Sequence, residues 1–203
     1  RYTRYRYVFL NNGLLMNAYP EWTHDAARTT IERLSPRLAG LFSDGERWSS
    51  FLDRLTTHFP SAFGALYQLY GHQYDFFFHI EEILTVLARS FEARSDALHA
   101  LDQTRQEHTS WFQSHEMMGA VCYVDLFAGN LDGLREQIPY LRELGITYLH
   151  LMPLFKAPET NNDGGYAVSS FRDVNPRLGT MAQLAALTQE LRDSGISVVL
   201  DFV

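Results

Sequence analysis

An aspartate and a tyrosine flank two glycines at Asp163-Gly164-Gly165-Tyr166. Glycine admits positive φ at little cost, so a Gly-Gly step can turn the chain sharply. That turn would hold an acid and a ring close together. A carboxylate accepts hydrogen bonds from hydroxyls, and an aromatic face can pack against the C–H face of a sugar ring. The pair therefore suits a polyhydroxylated ligand. The same residues also admit a structural role, with Asp163 capping the Gly-Gly turn and Tyr166 packing against its neighbours. Three other clusters carry less chemistry. His79 with Glu81 and Glu82 lacks a second histidine at ligand spacing and reads as a solvated helix face. His108 and His115 share a helical face without further ligands, and Phe76-Phe77-Phe78 reads as core.

The turn follows an apolar run, Ile146–Leu151, and the segment around it alternates strand and helix patterns. Ala120–Val124 is a short apolar run, followed by Asp125 and a turn through Gly129-Asn130. Residues 131–144 show helical spacing through Leu134, Ile138, Leu141 and Leu144, with Gly145 as the stop and Pro139 as a local disturbance. Ile146–Leu151 is the second strand, ended by Pro153. A long loop then runs from Leu154 to Gly179, well beyond the usual two to six residues or so of such connections, which points to a functional loop. A helix over 181–194 carries Leu184, Leu187 and Leu191 inward, and Ile196–Phe202 is the third strand. This order implies right-handed βαβ units and a parallel sheet, with functional loops at the carboxyl ends of the strands.

Before it, residues 23–116 read as an all-α domain. Thr23 or Asp25 can cap a helix using Ala27, Ile31, Leu34 and Leu38, with Pro36 predicting a kink or break. Asp44 caps the next, through Phe51 and Leu55, and Pro60 is expected to end it. Ser61 would open a short helix through Phe63, Leu66 and Leu69, closed by Gly71. Residues 74–91 form a denser helix, and Ser95 caps one reaching Leu101 and, later, Trp111.

Composition agrees with a globular chain: 203 residues, 46% apolar and 20% charged, with aromatics at 14%. A net charge of −7 without a basic block argues against a nucleic-acid partner. No apolar run is long enough for a membrane span. The single cysteine, Cys122, excludes an internal disulfide and fits a reducing, cytoplasmic compartment better than secretion. Residues 1–22 read as an N-terminal extension. Its start resembles a secretion signal only faintly, and Met16 is an alternative initiator.

Three stretches carry a family resemblance. Residues 145–155 resemble the second barrel strand of the α-amylase family of glycoside hydrolases, residues 165–180 resemble the loop after it, and residues 199–203 resemble the start of its third-strand motif. Within that family, the helical first half and the run Tyr123-Val124-Asp125-Leu126-Phe127-Ala128-Gly129 look most like the amylosucrases. The resemblance implies an all-α N-terminal domain, residues 23–116, followed by the start of a (β/α)8 TIM barrel. Residues 117–203 would supply its first three strands only, leaving the barrel incomplete. It implies transfer of a glucosyl unit from sucrose to an α-1,4-glucan acceptor; the residues themselves show no metal cluster and no phosphate-cradling glycine loop, so no cofactor or metal is expected. The mechanism implied is retaining double displacement. Both catalytic carboxyl groups are expected on later strands, downstream of Val203, and none in these residues. Asp163 would close the glucosyl pocket with an arginine from elsewhere, Tyr166 would stack on the ring, and Asp201 would order the carboxylate cluster or serve structure alone. On this reading the sequence is the N-terminal part of a longer enzyme, and the isolated polypeptide is expected to be inactive and poorly soluble. A sucrose hydrolase of the same family and a non-catalytic amylase-like module are the alternatives.

Overall fold

The structure is a computed structural model that describes residues 19–202. The extension's first eighteen residues, Met16 among them, lie outside the described residues, as does Val203 at the other end. The chain divides into two compact units, one ending at Asp102 and one beginning at Gln103.

The first unit is helical: α1 (Glu21–Ala39), α2 (Gly45–Tyr70), α3 (Phe76–Glu92) and α4, which runs Asp96–Glu107 and so extends past the division. Its core is set by spacing of three and four. Ala27, Ile31, Leu34 and Leu38 of α1 meet Phe51, Leu55, Phe59 and Phe63 of α2 and Ile80, Leu84, Ala88 and Phe91 of α3. The Asp44 side chain accepts from the backbone N–H of Glu46 at 2.9 Å and caps α2, as anticipated.

Two prolines meet different outcomes: no break interrupts α1 at Pro36, and Pro60 does not end its helix. The helix expected to open at Ser61 is the second half of α2. An interior proline costs about 3 kcal/mol. Phe59 and Phe63, however, lie on either side of Pro60 and are both buried. Burial of each contributes about 1.5–3 kcal/mol, and both face the core only if the helix continues. The N-terminus of α1 differs too. Thr23 is a buried first-turn residue whose hydroxyl donates to the Pro20 carbonyl at 2.6 Å, and Pro20 itself occupies the cap position.

The second unit contains strands β1 (Gly119–Cys122), β2 (Tyr148–Leu151), β3 (Phe155–Lys156), β4 (Ser170–Val174) and β5 (Ser197–Leu200). Its helices are α5 (Val124–Ala128), α6 (Leu131–Glu136), α7 (Ile138–Glu143) and α8 (Met181–Asp193). Strands β1, β2 and β5 form a parallel sheet in that order, with Cys122, Leu151 and Leu200 aligned at the carboxyl end. Leu149 and Leu151 turn one face of β2 into a core shared with Leu131, Leu134 and Leu141 and with Leu184, Leu187 and Leu191 of α8.

Apolar spacing predicts one helix over 131–144. The structure divides it at Gln137, placing Pro139 in the first turn of α7, where its missing N–H costs nothing. The residues leading to the Gly129-Asn130 turn form the short helix α5, which begins at Val124, so the first strand stops at Cys122. The long loop holds an antiparallel hairpin, β3 with β4, that the sequence pattern did not announce. Thr180 and Gln183 close a capping box at the start of α8. Arg135 ties α6 to α8 through Glu190 and holds that carboxyl below the usual range.

The compact division falls earlier than the boundary at residue 116 read from the sequence. Arg105 explains the shift. Its guanidinium lies over the Trp111 ring at 3.8 Å and donates to the Ser197 hydroxyl at 2.5 Å, binding the end of α4 into the second unit.

Candidate active site

Parallel register places the carboxyl ends of β1, β2 and β5 side by side, and the next residues in the chain carry the chemistry. Tyr123 follows β1, Met152-Pro153 follow β2, and Asp201 follows β5. Alternation along each strand decides which side chains face the site. Leu149 and Leu151 point into the helix-covered core, so His150 lies on the other face, with Val121 and Val199 as its register partners. Asp201 keeps the parity of Val199, and Tyr123 that of Val121.

The 163–166 turn comes back over these strand ends. Four positions shape it: φ is positive at Asn161 (56°), Asp163 (48°), Gly164 (67°) and Gly165 (95°). Asn and Asp tolerate the left-handed region better than other side chains. At Gly165 a Cβ would stand 3.0 Å from Pro153 Cβ and 3.3 Å from the Pro153 carbonyl oxygen, so only glycine fits against the end of β2. A Cβ on Gly164 would lie 3.6 Å from the Tyr123 hydroxyl, which places the turn beside the end of β1 as well. Backbone bonds from Gly165 N–H and Ala167 N–H to the Asn162 carbonyl, at 2.9 and 3.0 Å, hold the turn in shape.

These contacts gather Tyr123, His150, Tyr166 and Asp201. The His150 Nε2–H donates to Asp201 Oδ1 at 3.0 Å, bridging β2 to the residue after β5. Asp201 Oδ2 is buried and has no hydrogen-bond partner among the described residues. Removal from water pushes the Tyr166 phenol above its ordinary pKa; the charge of Asp201 and a hydrogen-bonding interaction with its carboxylate add to this, followed by Tyr123 and Asp163. Tyr166 is thus a neutral hydroxyl next to a carboxylate, and Asp163 remains exposed at the rim. The cluster can offer a ring face, a hydroxyl donor and two carboxylates to a polyhydroxylated ligand.

All three residues singled out by sequence, Asp163, Tyr166 and Asp201, sit at this strand-end face. His150 and Tyr123 were missed. The signal was present for His150, a polar residue between two buried leucines in a strand. The third-strand motif read over 199–203 is described as far as Phe202. The catalytic carboxyl groups expected downstream of Val203 fall outside the described residues. Cys122 lies on the core side of β1, and burial pushes its thiol up, which suits an inert packing residue. His79 pairs with Asp75 at 3.1 Å, and Glu81 with Arg33 at 2.5 Å, so these two groups are engaged on the helix surface.

Residues 85–203 match the model of the α-amylase family, described as "Alpha amylase, catalytic domain". The chain belongs to the α-amylase family. Among curated members of the α-amylase family, oligo-1,6-glucosidase of Parageobacillus thermoglucosidasius is 37% identical over 75 residues, covering 37% of this chain and 13% of the relative. Maltase A2 of Drosophila melanogaster is 39% identical over 75 residues, with the same 37% and 13% coverage. A solved structure of a MutB mutant in complex with the substrate sucrose is 30% identical, with a TM-score of 0.39, covering 43% of this chain and 17% of that one. The chain spans about 13% of the length of the curated relatives it matches.

Proposed function

We propose that the protein carrying this chain is a sucrose-cleaving glucosyltransferase of the amylosucrase type, which moves a glucosyl unit from sucrose to an α-1,4-glucan and releases fructose. The observation that carries this reading is the seating of the Asp163–Tyr166 turn over the strand ends, next to Tyr123 and Asp201. Membership of the α-amylase family supports glycoside chemistry. The amylosucrase-like wording of residues 123–129 supports sucrose as the donor. Under this proposal β1, β2 and β5 are the first three strands of a (β/α)8 barrel, whose carboxyl ends form the site.

In the reaction, Tyr166 presents its ring to the glucosyl unit, and Asp163 accepts hydrogen bonds from the sugar hydroxyls at the closed end of the pocket. Asp201 orders the surrounding polar groups. Retaining transfer requires a nucleophilic carboxylate and a second carboxyl group that serves in turn as acid and base. Neither role is assigned to a residue of this chain, and the proposal assigns both to strands that follow Val203. The similarity to oligo-1,6-glucosidase and maltase favours a second reading, hydrolysis of α-glucosides.

The test is incubation of the protein, as its host encodes it, with sucrose alone and with maltose alone. Fructose release accompanied by insoluble, iodine-staining glucan is the expected result. Fructose and glucose in equal amounts would replace transfer with hydrolysis. Cleavage of maltose with sucrose left intact would overturn the sucrose reading altogether.

A further inference from the structure

We infer that His150 is a positioning residue: its Nε2–H fixes the orientation of the Asp201 carboxylate at the site. This rests on the glycoside chemistry proposed above, though not on the choice of sucrose as donor. The geometry is specific. His150 stands on the site face of β2 because its neighbours Leu149 and Leu151 are anchored in the core, so the backbone cannot turn the ring away without expelling both leucines. Its ring bonds across to Asp201 Oδ1 at 3.0 Å, between elements that are already in parallel register.

Asp201 follows the last residue of β5, so no strand pairing holds it in place. A short side chain there can rotate, and each rotation would move both oxygens. Capture of Oδ1 by His150 removes that freedom. Oδ2, buried and unpartnered among the described residues, is then left at a fixed place as the acceptor for a donor group of the substrate or its surroundings. A core role for His150 fits poorly: its side chain keeps 32% of its exposure and lies outside the buried cluster of the second unit. Because a carboxylate can only accept, the bond also fixes a proton on Nε2.

The experiment uses the protein as its host encodes it, with His150→Phe and His150→Gln compared with wild type on 4-nitrophenyl α-D-glucoside and on sucrose. Phenylalanine keeps a ring of similar size and removes the donor, whereas glutamine keeps a side-chain N–H of similar reach. His150→Phe should lower kcat by up to about a hundredfold, the scale of a small misplacement at a reacting centre. KM should stay within about twofold and Tm should be preserved, because the ring volume is retained. His150→Gln should recover most of the loss. An unchanged kcat in His150→Phe overturns the assignment. So does a fall in Tm that His150→Gln shares without recovering activity, since that marks a packing role. A wild type that turns over the nitrophenyl glucoside but leaves sucrose intact removes the sucrose reading and leaves the His150 comparison fully readable.

Discussion

At the residue scale, Tyr166 joins two functions that substitution can separate. Under the proposed function its ring is the surface against which a glucosyl unit packs, while its hydroxyl is kept neutral by burial and by Asp201. Tyr166→Ala removes both, and Tyr166→Phe removes only the hydroxyl. Aromatic contacts contribute about 0.5–1.5 kcal/mol beyond burial, so Tyr166→Ala should raise KM for the glucosyl donor up to about tenfold. Tyr166→Phe should stay close to wild type. Steady-state kinetics on the whole protein decides it: equal losses in both variants would show that the hydroxyl, and not the ring, carries the contact. The positions of Asp163 and Tyr166 beside the strand ends were legible from the turn glycines, and that of Asp201 from the third-strand motif. His150 and Tyr123 were not, because their relevance depends on which strand face is buried, and on the return of a distant loop over the strand ends.

At the element scale, the 161–166 turn needs glycine at one point more than any other. Gly165 has φ of 95°, and a Cβ there would meet Pro153 at 3.0 Å. Gly165→Ala should therefore destabilise the protein by about 1–3 kcal/mol, the usual cost of a strained backbone position. It should also lift the turn away from the end of β2. Thermal unfolding reports the first effect, and faster proteolysis within residues 154–179 the second. An unshifted Tm with unchanged proteolysis would mean that the turn yields easily and fixes nothing. Helix positions were largely legible from apolar spacing, as α8 and its Leu184, Leu187 and Leu191 show. Continuity was less so. At Pro60 a local rule for breaking lost to the burial of Phe59 and Phe63, a tertiary gain invisible to any short window. The β3–β4 hairpin was hidden for a similar reason. Its strands are two and five residues long, and it is held by ring contacts such as Phe155 with Phe171 at 5.5 Å and Phe171 with Phe202 at 4.7 Å.

At the scale of the molecule, the described residues of the second unit cover only one face of its sheet. Helices α6, α7 and α8 bury Leu149 and Leu151, but Val121, on the opposite face, is 62% exposed. Among the described residues β1 and β5 each pair along one side only, leaving backbone donors and acceptors along both outer edges. Unpaired edges are templates for association. The 203-residue polypeptide by itself, expressed and purified, should therefore self-associate as its concentration rises, and light scattering after size exclusion would show this. Replacing Val121 with lysine places a charge on that exposed face and at the β1 edge, and should shift the population toward monomer. The same polypeptide should release no fructose from sucrose, because double displacement needs two carboxyl groups flanking the scissile bond, and the strand-end acids present, Asp163 and Asp201, are read as binding and ordering groups. A monodisperse monomer at high concentration would remove the edge argument. Measurable fructose would go further, since it would require Asp163 and Asp201 to perform the displacement themselves.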